Sequence, residues 1–321
     1  MRPTLRAVLT MAMLTVAASQ AMAQAPARIL SGFPPGGAVD VLARIFAEKW
    51  SEAIGRPVIV DTRAGATGQI ALEALRASAP DGNTVIVSPD SNIVVYPHTV
   101  SKPAFDTLRD FTPVAHVGRY DLAVAVKISL PANTLAEFLT WARANPKDAT
   151  YGTAGNGTLL HFYGLILGDE AKAPLAHVAY RGAGPAVTDL VGGHVTGAIL
   201  PLGTLVQQAR SGKVKILAIS GGQRSVILPD VPTVKELGYP KLELSGWFGV
   251  FAPAATPPDI VNRLNEIFRT AAHTPAVREK LLAAGLEPEN MSPAGLAAVI
   301  KRDYERWGPV IKASGFTADS N

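Results

Sequence analysis

Short apolar strands alternate with amphipathic helices along most of the chain, and this order restricts the fold more than any single residue does. Residues 28–31 begin a strand that enters the turn Gly32-Phe33-Pro34-Pro35-Gly36-Gly37. Leu42, Ile45, Phe46, Trp50 and Ile54 then recur at helical spacing, so a helix follows, ended by Gly55 and Pro57. Residues 58–60 read as a buried strand, 69–79 as a helix and 84–88 as a continuous apolar strand. Such strands between helices predict parallel sheets covered on both faces.

The alternation then restarts. Strands are predicted at 122–126, 150–153, 177–180, 195–200, 214–220 and 247–251, with helices at 135–144, 159–167, 185–191 and 205–210. Thr256 is expected to cap a helix whose first position is Pro257, and Ser292-Pro293 repeats that start signal before the last helix. A length of 321 residues suits two domains, and no Gly/Ser linker, low-complexity tract or internal repeat separates the two blocks. The expectation is two α/β lobes across a cleft, connected near Ala123 and Trp247, with the C-terminal helices returning to the first lobe. Lobe 1 is drawn as 24–123 plus 246–321 and lobe 2 as 124–245.

Composition removes several functions. Apolar residues make up 48% and charged residues 17%, against about 25% charged in an average domain, which excludes long disorder. The formal charge is +4, but Lys and Arg are scattered, so no nucleic-acid surface is expected. The absence of cysteine excludes disulfides, thiolate metal sites and thiol nucleophiles. Arg2 and Arg6 precede an apolar stretch at 7–18, and Ala21-Met22-Ala23 offers the small residues of a cleavage site. This is the layout of a secretory signal peptide, 1–23, cleaved near Ala23. No later segment is apolar for the roughly 18 residues of a membrane span, so the mature chain is expected to be periplasmic, monomeric and not inserted in the membrane.

Ligands of open α/β sheets bind beyond the carboxyl ends of strands, which directs attention to two strand-to-helix loops. The first, Phe33 to Asp40, has two glycines, Gly36 and Gly37, that let backbone approach a ligand. It brings the amides of Gly37, Ala38 and Val39 to a helix start, where unpaired donors and the macrodipole attract an anion. Its alternative reading is a plain Pro/Gly turn in which Asp40 stabilises the first helical turn. The second runs Thr153-Ala154-Gly155-Asn156-Gly157-Thr158, followed by His161, and is an adaptable hydrogen-bonding loop or a structural turn. Its glycines do not follow the G-x-G-x-x-G order of a dinucleotide site. The histidines show no close metal-ligand spacing, and hydrolase, metalloprotease and phosphate-loop motifs are missing. No cofactor, metal or catalytic residue is therefore expected. An exported hydrolase or isomerase acting on a small carboxylate is the alternative, with Thr158 and His161 the nearest candidates for a nucleophile and base.

The stretches FPPGGAVDVLAR, RAGATGQIALEALRASAPDGNTVIVS, YGTAGNGTLLH, YRGAGPAVTDLVGGHV and GWFGVFAPAATPPDIVNRLN resemble, in order, the Bug family of extracytoplasmic solute-binding receptors. This is the receptor group of tripartite tricarboxylate transporters. The resemblance implies a two-lobed, hinge-closing type II periplasmic-binding-protein fold and a small carboxylate ligand held mainly by backbone amides, small hydroxyls and water. It also implies delivery to a membrane permease of one large and one small subunit, or presentation to a signalling partner. Carried over by position, Phe33, Gly36, Gly37, Ala38 and Asp40 fall in the first binding loop, and Ser88 falls near the cleft. Thr153, Ala154, Gly155, Asn156, Gly157, Thr158 and His161 fall in the second loop. Tyr180 is expected to line the cleft, while Arg181 is either a carboxylate clamp or a structural ion pair. Thr196 stands where the family commonly has Asp, which implies the loss of an acidic group near the cleft.

Overall fold

The computed structural model describes residues 26–318, so the expected signal peptide and its cleavage site lie outside the described residues. Two five-stranded sheets form the two lobes of an α/β fold. The first contains β1 (Ala27–Ser31), β2 (Val58–Thr62), β3 (Thr84–Pro89), β4 (Phe111–Tyr120) and β10 (Gly246–Pro253), in the order β2-β1-β3-β10-β4. The second contains β5 (Leu122–Lys127), β6 (Thr150–Thr153), β7 (Ala176–Ala179), β8 (Gly197–Pro201) and β9 (Val214–Ile219), in the order β7-β6-β8-β5-β9. The helices are α1 (Ala38–Ile54), α2 (Gln69–Arg76), α3 (Thr107–Asp110), α4 (Leu135–Ala144), α5 (Leu159–Glu170), α6 (Ala183–Gly192), α7 (Leu202–Arg210), α8 (Pro258–His273), α9 (Pro275–Ala283) and α10 (Pro293–Ser314).

The sheets are mixed, which corrects the expectation of parallel ones. β1 is parallel to β2 and β3, and β6 to β7 and β8. β10 runs antiparallel to β3 and β4, and β5 antiparallel to β8 and β9. The cause is the exchange of chain between lobes. β5 and β10 each begin at the junction and run outward, against strands whose carboxyl ends point toward it.

β4 itself was not legible in the sequence. Pro113, Gly118 and polar His116 and Arg119 interrupt its apolar pattern, and a proline is tolerated because β4 is an edge strand. One helix start also shifts. Pro257 is the cap and Pro258 the first helical residue of α8, while the Thr256 hydroxyl donates to the Pro253 carbonyl at 2.7 Å. The second proline keeps Pro257 extended, so the helix cannot begin a residue earlier. At α10 the reading holds: Ser292 Oγ accepts from the Gly295 amide at 3.1 Å, with Pro293 first in the helix.

Apolar faces close each lobe. α1 buries Leu42, Phe46 and Trp50, and Phe268 of α8 meets the last two rings at 5.7 and 5.6 Å. The junction between lobes is polar and ordered. Asp121 alone separates β4 from β5, and its carboxylate accepts from Ser245 Oγ at 2.6 Å and Arg119 Nη1 at 3.2 Å. Ser220, just past β9, accepts the Leu122 amide through its hydroxyl and donates its own amide to the Leu122 carbonyl. These bonds fasten the two crossing segments side by side.

Candidate functional site

Each lobe places one strand-to-helix loop at the carboxyl end of a parallel strand. In the first, Phe33 is half-buried and 34–38 are exposed. Gly36 has φ +90°, a conformation that favours glycine. Gly37 caps α1, and the first intrahelical bond runs from the Val41 amide to the Gly37 carbonyl. The amides of Ala38, Val39 and Asp40 therefore precede the helical ladder. Asp40 is 4% exposed and turns back on its own chain. Its Oδ2 accepts from Arg44 Nε and from the Gly36 amide, both at 3.0 Å, and Oδ1 is buried with no partner. The Arg44 hydrogen bond holds the carboxyl below the usual range despite its burial, so Asp40 is a carboxylate that shapes the loop.

The floor beside this loop comes from the ends of β1 and β3 and the start of α2. Ser31 and Ser88 are buried there. A Cβ on Gly32 would lie 2.6 Å from the Gly68 Cα, so the two backbones are pressed together. A Cβ on Gly68 would in turn lie 2.4 Å from the Asn92 Nδ2 and 3.2 Å from the Phe33 ring. Ala66 and Thr67 both have positive φ, 44° and 52°. The next residue, Gln69, is 3% exposed, with neither side-chain polar atom hydrogen-bonded. In the sequence Gln69 stands at a helix start with no motif to mark a role. The available signal is its spacing of three from Leu72, which puts an amide beside the inward face of α2.

The second loop is held by its own side chains. Thr153 Oγ1 donates to the Gly155 carbonyl at 3.0 Å and lies 2.7 Å from His177 Nε2. Thr158 caps α5: its hydroxyl donates to the Gly155 carbonyl at 2.9 Å and accepts from the His161 amide at 3.5 Å. His161 Nδ1 accepts the Gly157 amide at 3.3 Å, and its ring stacks on His177 with centroids 4.0 Å apart. Burial lowers the His161 pKa to about 4 and the His177 pKa to about 3, so both rings are neutral near pH 7. With Nδ1 accepting, the His161 proton sits on Nε2. Neither Thr158 Oγ1 nor His161 Nδ1 bonds the other, so this pair does not make the hydroxyl–imidazole contact of an activated nucleophile. Ala154 is half-buried and Asn156 exposed.

The lobes meet around this loop. The Leu159 amide donates to Ser91 Oγ of the first lobe at 3.3 Å. Phe316, beyond α10, sets its ring edge-on to His161 at 5.2 Å and to Phe162 at 5.5 Å. Behind Ser91, fully buried Asp90 accepts from the Ser91 amide, the Tyr120 hydroxyl and the Trp247 amide. Burial, with Asp303 nearby, raises its pKa to about 7. Among the described residues no hydrogen bond joins the two loops directly.

Tyr180 lies beside the second loop, its amide bonded to the Thr153 carbonyl and its hydroxyl donating to Asp189 Oδ2 at 2.7 Å. Desolvation and Asp189 push the Tyr180 phenol up to about 12. Arg181 is exposed. Thr196 is not near the carboxyl ends of the strands. It precedes β8 at the amino end, where its hydroxyl donates to the Asp148 carbonyl and its amide to Thr150 Oγ1, so its identity says nothing of ligand charge. Among the described residues, no cluster of three or more His, Asp or Glu could hold a metal, and no helix is long and apolar enough to cross a membrane.

Residues 42–316 match the tripartite tricarboxylate transporter family receptor, TctC. Protein BugT of Bordetella pertussis is 33% identical over 291 residues, 90% of this chain and 89% of that protein. The solved structure of MatC from Rhodopseudomonas palustris with bound malate is 30% identical with a TM-score of 0.81, covering 89% of this chain and 98% of MatC. The R. palustris protein Rpa4515, solved with adipate, is 29% identical with a TM-score of 0.84, covering 91% of this chain and 98% of that one. The chain belongs to the TctC/Bug family of periplasmic solute-binding receptors, and its two lobes have the type II periplasmic-binding-protein fold.

Proposed function

We propose that this chain captures a small carboxylate between its lobes and delivers it to a tripartite tricarboxylate-type permease with a large and a small subunit, or to a signalling partner. The observation that carries the reading is the strand-to-helix loop of the first lobe, which contains no Lys or Arg yet leaves the amides of Ala38, Val39 and Asp40 ahead of the helical ladder for an anion, together with a second loop in the other lobe that also lacks Lys and Arg. The lobes, 24–120 with 246–321 and 122–245, act as rigid bodies turning about Asp121 and the return into β10. The signal peptide is removed near Ala23, which leaves the mature chain in the periplasm. Phe33, Gly36, Gly37, Ala38, Ser88, Thr153, Ala154, Gly155, Asn156, Gly157, Thr158 and Tyr180 line the ligand, with Asp40 and His161 holding the two loops in shape. Malate and adipate in two relatives support a carboxylate as the ligand class. Ligand stabilises the closed population through its higher affinity for that state.

A thermal-shift panel of mono-, di- and tricarboxylates tests the reading, followed by Gly36→Val and Gly155→Val. A stabilising carboxylate whose affinity falls at least tenfold in both folded variants is expected, since a branched side chain blocks close backbone approach. Near-wild-type affinity in both would refute the backbone-driven site. The hydrolase or isomerase reading would need turnover of the bound acid; recovery of the ligand unchanged after long incubation is expected.

A further inference from the structure

The start of α2 holds a group that the binding loops leave unexplained. Gln69 is buried, and neither its Oε1 nor its Nε2 meets a protein donor or acceptor. Leu72 and Leu75 share its face of α2 and fill the core as apolar side chains should. Gln69 instead occupies the first turn, directly after the Gly68 backbone that touches Gly32, Phe33 and Asn92. An unpaired buried amide is more unfavourable than an ordinary hydrogen bond is favourable, and Leu would suit a sealed core better. The position therefore makes physical sense when a ligand supplies the missing partners.

The chemistry of the amide restricts that ligand. Oε1 only accepts and Nε2 only donates. A bare carboxylate would satisfy Nε2 and set a second acceptor against Oε1. A hydroxyl beside a carboxylate satisfies both, because the hydroxyl donates to Oε1 while a carboxylate oxygen accepts from Nε2. The dipole of α2 favours the negative charge on that side, although the Gln69 amide itself is bonded to the Ala66 carbonyl.

We propose that Gln69 is the specificity residue of this receptor, and that it reads the hydroxyl of a 2-hydroxycarboxylate. The assignment rests on the carboxylate-receptor reading. Phe33, half-buried against Gly68, borders the same corner of the site.

Calorimetric titration of the exported chain with malate against succinate, and citrate against its deoxy analogue propane-1,2,3-tricarboxylate, separates the possibilities. The unaltered protein should favour the hydroxy acid of at least one pair by about tenfold, the upper range for one neutral hydrogen bond. In Gln69→Leu that preference should fall to near unity, with a ligand-free unfolding midpoint no lower than wild type because the unpaired amide is gone. Gln69→Glu should bind both acids more weakly, since it places like charge beside the ligand. Equal affinity for both members of each pair, or a preference that survives in Gln69→Leu, overturns the assignment to Gln69 and leaves the carboxylate reading standing. If no carboxylate binds the unaltered chain, both readings fall. The comparison of acids on the unaltered chain decides the outcome even where a variant does not fold.

Discussion

Replacing Gly157 with Ala tests whether the second loop is fixed by its backbone or by the lobe contact above it. Gly157 has φ +65°, and an added Cβ would lie 2.9 and 3.2 Å from two atoms of the Phe316 ring. The left-handed backbone costs about 1–2 kcal/mol for a non-glycine residue. Overlap with the ring adds about 1–3 kcal/mol unless Phe316 moves. Moving Phe316 gives up its edge contacts to His161 and Phe162, worth about 0.5–1.5 kcal/mol each. Gly157→Ala should therefore destabilise the ligand-free protein by about 2–5 kcal/mol. Phe316→Ala alone should lose about 1–3 kcal/mol. In the double variant the overlap disappears and the backbone strain remains, so the loss should be about 1–3 kcal/mol smaller than the sum of the singles. Urea unfolding of the four proteins measures this coupling. Additivity within about 0.5 kcal/mol would refute the claim that the Phe316 ring constrains Gly157.

Three further outcomes can be checked. Asp40→Ala should destabilise the protein by about 1 kcal/mol by freeing the Gly36 amide and Arg44. The Asp40 pKa is lowered in the fold, so its contribution is present above the unfolded value near 3.9 and lost as pH falls through the folded value; a pH series of denaturant midpoints shows whether the variant lacks that acid-side loss. His161 and His177 have folded pKa values of about 4 and 3, below the unfolded value near 6.5, so their contribution is full above pH 6.5 and declines as pH falls toward 4. His161→Asn keeps an acceptor for the Gly157 amide and should shallow that decline in thermal midpoints measured across the same range. Asp90 acts in the opposite sense: its folded pKa of about 7 lies above the unfolded value near 3.9, so stability attributable to it falls as pH rises from 4 to 7 and then levels. Asp90→Asn should unmask a steeper histidine slope between pH 4 and 6.5, and an unchanged profile would count against a protonated Asp90 in the folded protein.

Much of the lobe architecture was legible because local pattern and tertiary demand agree. The helix spacing of Leu42, Phe46 and Trp50 is the face that packs on the first sheet, and the Ser292-Pro293 start signal caps α10 as its chemistry requires. The features that are not legible depend on neighbours distant in sequence. β4 was missed because only an edge position tolerates Pro113, and edge status is a property of the sheet. Gln69 reads in sequence as an ordinary helix-start residue; only the fold buries it with its amide unpartnered.

By itself, the sequence determined the alternation of strands and helices, the two amide-rich loops and the lack of cationic side chains in them. Those follow from local periodicity, glycine conformation and residue chemistry, which act over a few positions. Only the tertiary structure decided the mixed sheets, the displacement of Thr196 to the amino end of β8, the turning of Asp40 onto Gly36 and Arg44, and the meeting of Ser91 and Phe316 with the second loop. Each arises because the chain crosses between lobes near Asp121 and again on entering β10. That exchange sets strand direction, and it brings together side chains whose contacts no local pattern encodes.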